Sequence, residues 1–194
     1  MDASSFKIEP YANLHGAPLG SAELIDAKLR GANLRNAVLI DADLSGADLH
    51  SANLSYTDMR GVELSGADLQ NANLSHANLE GVEFTDVDLR GTDFSNANLT
   101  EAIFLRTNLE GSRFCGADLS FVEFLDSNLK GADLSSSNLL SARIINVNLQ
   151  DADLRWSNLE DAELEGINYQ GSRFDGATMP DGVAAFENKF PGVP

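Results

Sequence analysis

From Leu14 to Met179 a large apolar residue stands at every fifth position, 34 times without a slip in the frame. The residue two places earlier is small, Ala in 20 of the 34 modules and Ser, Thr or Val in nearly all the others. An α-helix advances about 100° per residue, so a five-residue step would carry successive leucines around its axis instead of along one face. The pattern therefore excludes helix. Within each module the small and the large residue lie two apart and point to the same side of an extended segment, while the Asp or Asn between them points to the other. The two remaining positions are rich in Ser, Arg, Asn and Gly, and 13 of the 16 glycines fall in the last of them, which suits a turn. The unit is a short bridge followed by a corner.

Side-chain size shows how many units make one coil, because residues stacked directly above one another should match in shape. Phe84, Phe104 and Phe124 recur every 20 residues, and Phe94 and Phe114 form a second series on the same spacing, expected on the opposite wall. The polar slot agrees: its five glutamates, Glu23, Glu63, Glu83, Glu123 and Glu163, share one phase of the 20-residue period, and none of its 12 asparagines does. Four modules per coil follow, with one wall chemically unlike the other three.

Segments such as Ala47-Asp48-Leu49, Ala67-Asp68-Leu69 and Ala132-Asp133-Leu134 resemble the motif of the pentapeptide repeat family. The resemblance spans about residues 12–180 and implies an all-β fold, a right-handed quadrilateral parallel β-helix filled by Leu, Phe and Ala. Right-handedness agrees with the general preference of parallel crossovers. At the usual spacing of about 4.8 Å between strands, roughly eight coils make one rod-shaped domain on the order of 40 Å long. Residues 1–11 are expected to form an N-terminal cap, with Phe6, Ile8 and Tyr11 over the first coil. Residues 181–194 are expected to form a short C-terminal cap with Phe186 and Phe190, after Pro180-Asp181-Gly182 has ended the repeat. The Thr178 to Gly182 ending looks like that of cyanobacterial members. The tail is short and carries Pro191 and Pro194, which disfavours a tail-mediated dimer and leaves a monomer or weak dimer as the expectation.

Composition narrows the function. The single cysteine, Cys115, rules out an internal disulfide framework, and no leader or long apolar run opens the chain, so a cytoplasmic protein without a membrane span is expected. Catalysis is not supported: an uninterrupted coil offers no cleft, and no nucleophile, base and metal cluster can be assembled from these residues. His15, His50 and His76 occupy outward slots on different coils. Asp41, Asp43, Ser45 and Gly46 imitate the start of a calcium loop, but its twelfth position is Ala52. Gly111 and Gly116 have phosphate-loop spacing without the Lys and Ser or Thr that must follow. No enzyme, cofactor or metal is expected.

Two surface features could carry function. The first is charge: 30 acidic against 13 basic residues give a net charge of −17, or about one net negative charge per 2.4 Å of rod, near the one per 1.7 Å of duplex DNA. Direct nucleic-acid binding is disfavoured, whereas DNA mimicry is compatible. The acidic wall is Glu23, Asp43, Glu63, Glu83, Glu123 and Glu163, in which the first four are expected to stack as a row of like charges. The same carboxylates also serve solubility, and both readings stand. The second feature interrupts this wall. Ile103 replaces an acid, and the slot after the large residue holds Leu105, Leu125 and Ile145, expected as an exposed apolar stripe with Arg106 and Arg143 at its rim. Phe121 and Trp156 lie in outward corner slots. The family resemblance implies two precedents, regulators that bind other proteins and DNA mimics that protect DNA gyrase. The chain is therefore read as a non-enzymatic scaffold or regulator that presents the stripe to an unidentified protein partner. The alternative is a gyrase-binding DNA mimic acting through the acidic wall. Lack of inserted loops and of a long C-terminal helix weakens that alternative.

Overall fold

The computed structural model describes residues 7–181. The chain winds as a four-sided parallel β-helix in which residues of the polar slot pair with the residue 20 positions on, Glu63 and Glu83 excepted. One column runs Asn13, Asn33, Asn53, Asn73, Asp93, Arg113, Asp133, Asp153, Arg173, eight successive coil steps. Four walls result. Wall A contains Glu23 and the residues above it, wall B starts at Lys28, wall C at Asn13 and wall D at Pro18, each with the two corner residues that follow its large apolar side chain. Backbone amides link coil to coil, as in Leu14 N to Asn33 O at 2.7 Å and Asn33 N to Ala12 O at 2.9 Å. Most pairings are single residues wide because a corner follows every two or three extended positions.

Wall A is the exception. There five three-residue strands, β1 (Glu83–Thr85), β2 (Ile103–Leu105), β3 (Glu123–Leu125), β4 (Arg143–Ile145) and β5 (Glu163–Glu165), form one parallel sheet in sequence order. Earlier coils turn the same corner tightly, with Ala27 N donating to Leu24 O at 3.1 Å and Ala47 N to Leu44 O at 3.0 Å. From Phe84 upward that bond is absent. The chain stays extended one residue further at Thr85, Leu105, Leu125, Ile145 and Glu165 alike. Behind them the buried Ser127 hydroxyl accepts from Thr107 N at 3.0 Å and lies 2.9 Å from Leu125 O, supplying partners the open bend would otherwise lack.

The interior is a single column of side chains. Leu29, Leu34, Leu39 and Leu44 are wholly buried, as are Phe84, Phe94, Phe104, Phe114 and Phe124. Phe84, Phe104 and Phe124 stack at 4.7 and 4.9 Å, Phe94 and Phe114 at 4.9 Å, and the two stacks meet edge to face at about 6 Å, both preferred arrangements. The two 20-residue aromatic series thus face each other from opposite walls. Corners demand a left-handed backbone, met by glycine or by Asn, Asp, Ser and a few bulky residues. Gly116 has φ +67°, and a Cβ there would lie 2.8 Å from Asn96 Oδ1 one coil below.

At the N-terminal end Ile8 packs against the core. Tyr11, expected to cover the first coil, is instead largely exposed, its ring lying over Gly31 one coil above. Phe6, Phe186 and Phe190 lie outside the described residues. No helix among the described residues is long and apolar enough to cross a membrane.

Candidate interaction surface on wall A

The slot before each large residue does local work on every wall. Its Asp or Asn oxygen accepts the amide two residues on, as Asp43 does from Ser45 N at 2.9 Å and Asn73 from Ser75 N at 2.9 Å, closing the bridge into the corner. Asparagines also join coils: Asn128 Nδ2 donates to Asn108 Oδ1 at 3.1 Å, Asn148 to Asn128 at 3.0 Å and Asn168 to Asn148 at 3.0 Å. Glutamate is too long for the short closing contact and occurs where the slot projects into solvent on wall A.

Charge divides the rod lengthwise. Among residues 11–181 wall A carries ten carboxylates against two arginines, and the neighbouring wall D eight against one. Wall B carries five against four cations, and wall C four against four. On the balanced walls carboxylates have partners, such as Asp88 with Arg90 at 2.6 Å and Asp153 with Arg155 at 2.6 Å. Hydrogen bonds from these arginines hold the Asp88 and Asp153 carboxyls below the usual carboxylate range. Arg60 does the same for Asp58 on wall D.

On wall A the sheet sets Glu83, Ile103, Glu123, Arg143 and Glu163 in one column and Thr85, Leu105, Leu125, Ile145 and Glu165 in the next. The stripe residues are therefore direct neighbours, but they are half-buried, not exposed. Each aliphatic chain covers the flank of the one a coil away, whereas Ile25, alone at the foot of that column beneath Ser45, is 56% exposed. Nor is the rim free positive charge. Arg106 makes a two-pronged contact with Asp86 at 2.7 and 2.8 Å, and Arg143 spans Glu123 at 2.8 Å and Glu163 at 3.2 Å. The acidic row is likewise broken. Glu23, Asp43 and Glu63 pair in sequence, but no pairing joins Glu63 to Glu83.

Of the other outward residues, Trp156 is 68% exposed and leans over Gly176, and Phe121 is 53% exposed. Wall C also carries a stack that the apolar pattern does not single out, in which Arg35 lies 4.3 Å from the Tyr56 ring centre and His76 stacks on the same ring at 4.5 Å. The signal was the 20-residue spacing of Tyr56 and His76. Cys115 is a half-buried free thiol, His50 lies 3.8 Å from Asp68, and no group of three His, Cys, Asp or Glu among the described residues could hold a metal ion.

Comparison with known proteins places the repeat. The family model described as "Pentapeptide repeat region" matches residues 57–134, and that described as "Pentapeptide repeats (8 copies)" matches residues 19–55, 27–66 and 123–161. A search of curated proteins returns no match. Among solved structures the chain is similar to HetL, a pentapeptide repeat protein involved in heterocyst differentiation regulation from the cyanobacterium Nostoc sp. strain PCC 7120, with 26% identity and a TM-score of 0.40 over 93% of this chain and 94% of that one. A pentapeptide repeat protein of the Arabidopsis thaliana thylakoid lumen is 22% identical, with a TM-score of 0.40, over 51% of this chain and 66% of that one. Full-length QnrB1, a plasmid-mediated fluoroquinolone resistance protein, is 17% identical, with a TM-score of 0.35, over 93% of this chain and 95% of that one.

Proposed function

The chain belongs to the pentapeptide repeat family, and from that premise we propose that it is a non-enzymatic, rigid acidic rod that binds another protein through the sheet on wall A. The observation that carries this reading is the register of the sheet, which sets Leu105, Leu125 and Ile145 in one column beside Ile103. Because Arg106 and Arg143 are engaged with Asp86, Glu123 and Glu163, the strip is flat, apolar at its centre and neutralised at its edge. Such a surface suits a partner with an apolar ridge, held by burial more than by charge. The rod acts as a monomer or weak dimer in the cytoplasm, a reducing compartment in keeping with its free Cys115.

The alternative, a DNA mimic directed at gyrase, draws support from the gathering of charge on adjacent walls A and D. A stripe-driven complex survives moderate salt and is lost in Leu105→Lys/Leu125→Lys, checked for folding by thermal melting. A charge-driven complex weakens steeply with salt and on Glu63→Lys. Gyrase bound only at low salt, with no effect of the stripe variant, would replace the first reading by the second.

A further inference from the structure

We propose that the rod is rigid within each half and carries one hinge on wall A, between the coil of Glu63 to Gly66 and the coil of Glu83 to Asp88. One coil lower, the wall is fully bonded: Leu44 N donates to Glu63 O at 2.8 Å, Gly46 N to Ser65 O at 2.9 Å and Glu63 N to Ala42 O at 3.0 Å. At the junction above, the three equivalent bonds are missing. Leu64 N and Gly66 N do not reach the coil above them, and Glu83 N does not reach the coil below.

The loosening is graded around the coil. On wall B the same junction keeps its Asp68–Asp88 pairing, but Leu69 N to Asp88 O is stretched to 3.4 Å, against 2.8 Å for Leu49 N to Asp68 O below and 2.8 Å for Leu89 N to Asn108 O above. On wall D, where the chain enters the seam, Gly61 N lacks the bond to Glu80 O that Asp41 N makes to Arg60 O at 2.9 Å one coil below and Gly81 N to Thr100 O at 2.9 Å one coil above. On wall C, opposite wall A, Leu74 N to Asp93 O is 2.7 Å. A seam open on one wall, strained on the next and closed on the far side is the geometry of a hinge pivoting on wall C.

Three features meet at the seam. The lower coil closes its corner with Ala67 N to Leu64 O at 3.0 Å, whereas the upper coil runs on as β1 and turns openly, so the two backbones follow different paths. The core changes from Leu64 to Phe84, the first ring of the aromatic stack. Glu63 and Glu83 face solvent in the same column with no cation among the described residues paired to either, whereas the glutamates higher up have Arg143 between them. The hinge separates the unneutralised acidic stretch from the sheet with the apolar stripe, so flexing sets the angle between them.

Amide hydrogen exchange on the intact chain tests the hinge. Leu69 N should exchange at least about ten-fold faster than Leu49 N and Leu89 N, its wall B equivalents, at a rate insensitive to low denaturant, while Leu74 N on the pivot stays slow. Equal protection at Leu49, Leu69 and Leu89 would overturn the proposal. Spin-label distances give a second readout, in a Cys115→Ser background. A pair at Glu23→Cys and Asp126→Cys on wall A should show a broader distribution than a pair at Asn36→Cys and Ser136→Cys on wall C. Matching widths would likewise refute the hinge.

Discussion

Replacing Phe104 by alanine tests what holds the C-terminal half together. Phe104 is wholly buried, stacked 4.7 Å from Phe84 and 4.9 Å from Phe124, with edge contacts to Phe94 at 6.1 Å and Phe114 at 6.0 Å. Removing a buried phenylalanine ring costs about 3–5 kcal/mol where the surroundings cannot close over the void. Here they cannot, because β1, β2 and β3 fix the coil spacing from outside. Ring–ring contacts worth roughly 0.5–1.5 kcal/mol each beyond burial are lost as well, which puts the expected loss near the upper end of that range. Leu44→Ala, in the half whose core holds no aromatic ring, gives the comparison: about 2–5 kcal/mol with no ring contacts to lose. Urea unfolding followed by circular dichroism, with an unchanged m-value, reads both. A loss below about 1.5 kcal/mol for Phe104→Ala would mean that the coils collapse inward and that the ladders do not set the spacing.

Three further outcomes are expected. Gly116→Ala should lower stability by about 1–2 kcal/mol, because its left-handed corner disfavours a Cβ that would also press on Asn96 Oδ1, while Ser141→Gly, at φ +55°, should be neutral or stabilising in the same assay. Arg143→Met should destabilise slightly in low salt and not in high salt, because the exposed arginine screens Glu123 and Glu163; thermal melts at two ionic strengths check it. The carboxyls of Asp58, Asp88 and Asp153 are held low chiefly by hydrogen bonds from Arg60, Arg90 and Arg155. A carboxyl whose pKa is lower folded than unfolded contributes stability that is complete above the unfolded value near 4 and drains away as pH falls through the folded one. Melting temperature should therefore fall on acidification below about pH 4, and Arg90→Leu should reduce the size of that fall.

The fold was legible because two independent signals carry the same period. Stacking of like residues put Phe84, Phe104 and Phe124 in one column, and restriction of glutamate to one phase marked wall A. Both need only that identical environments repeat every coil. The state of the stripe was not legible, because exposure depends on lateral cover. Leu105 and Leu125 shield each other, and Ile25 in the same column has no such neighbour. Pairing of Arg106 with Asp86 follows from the 20-residue offset and could have been read; that Arg143 reaches both Glu123 and Glu163 depends on rotamers. The break between Glu63 and Glu83 was not legible in the repeat, since both modules obey the same consensus and the change from Leu64 to Phe84 does not by itself say which corner each adopts.

Site-specific photo-crosslinking tests the central claim most directly. A photoreactive residue at position 105 on wall A is compared with one at position 95 on wall C, each introduced into the full chain and irradiated in a lysate of its host at moderate salt. The account predicts one discrete protein adduct at position 105 that disappears when Leu125→Lys is added, and none at position 95. The same adducts at both positions, or an adduct at 105 indifferent to Leu125→Lys, would contradict it.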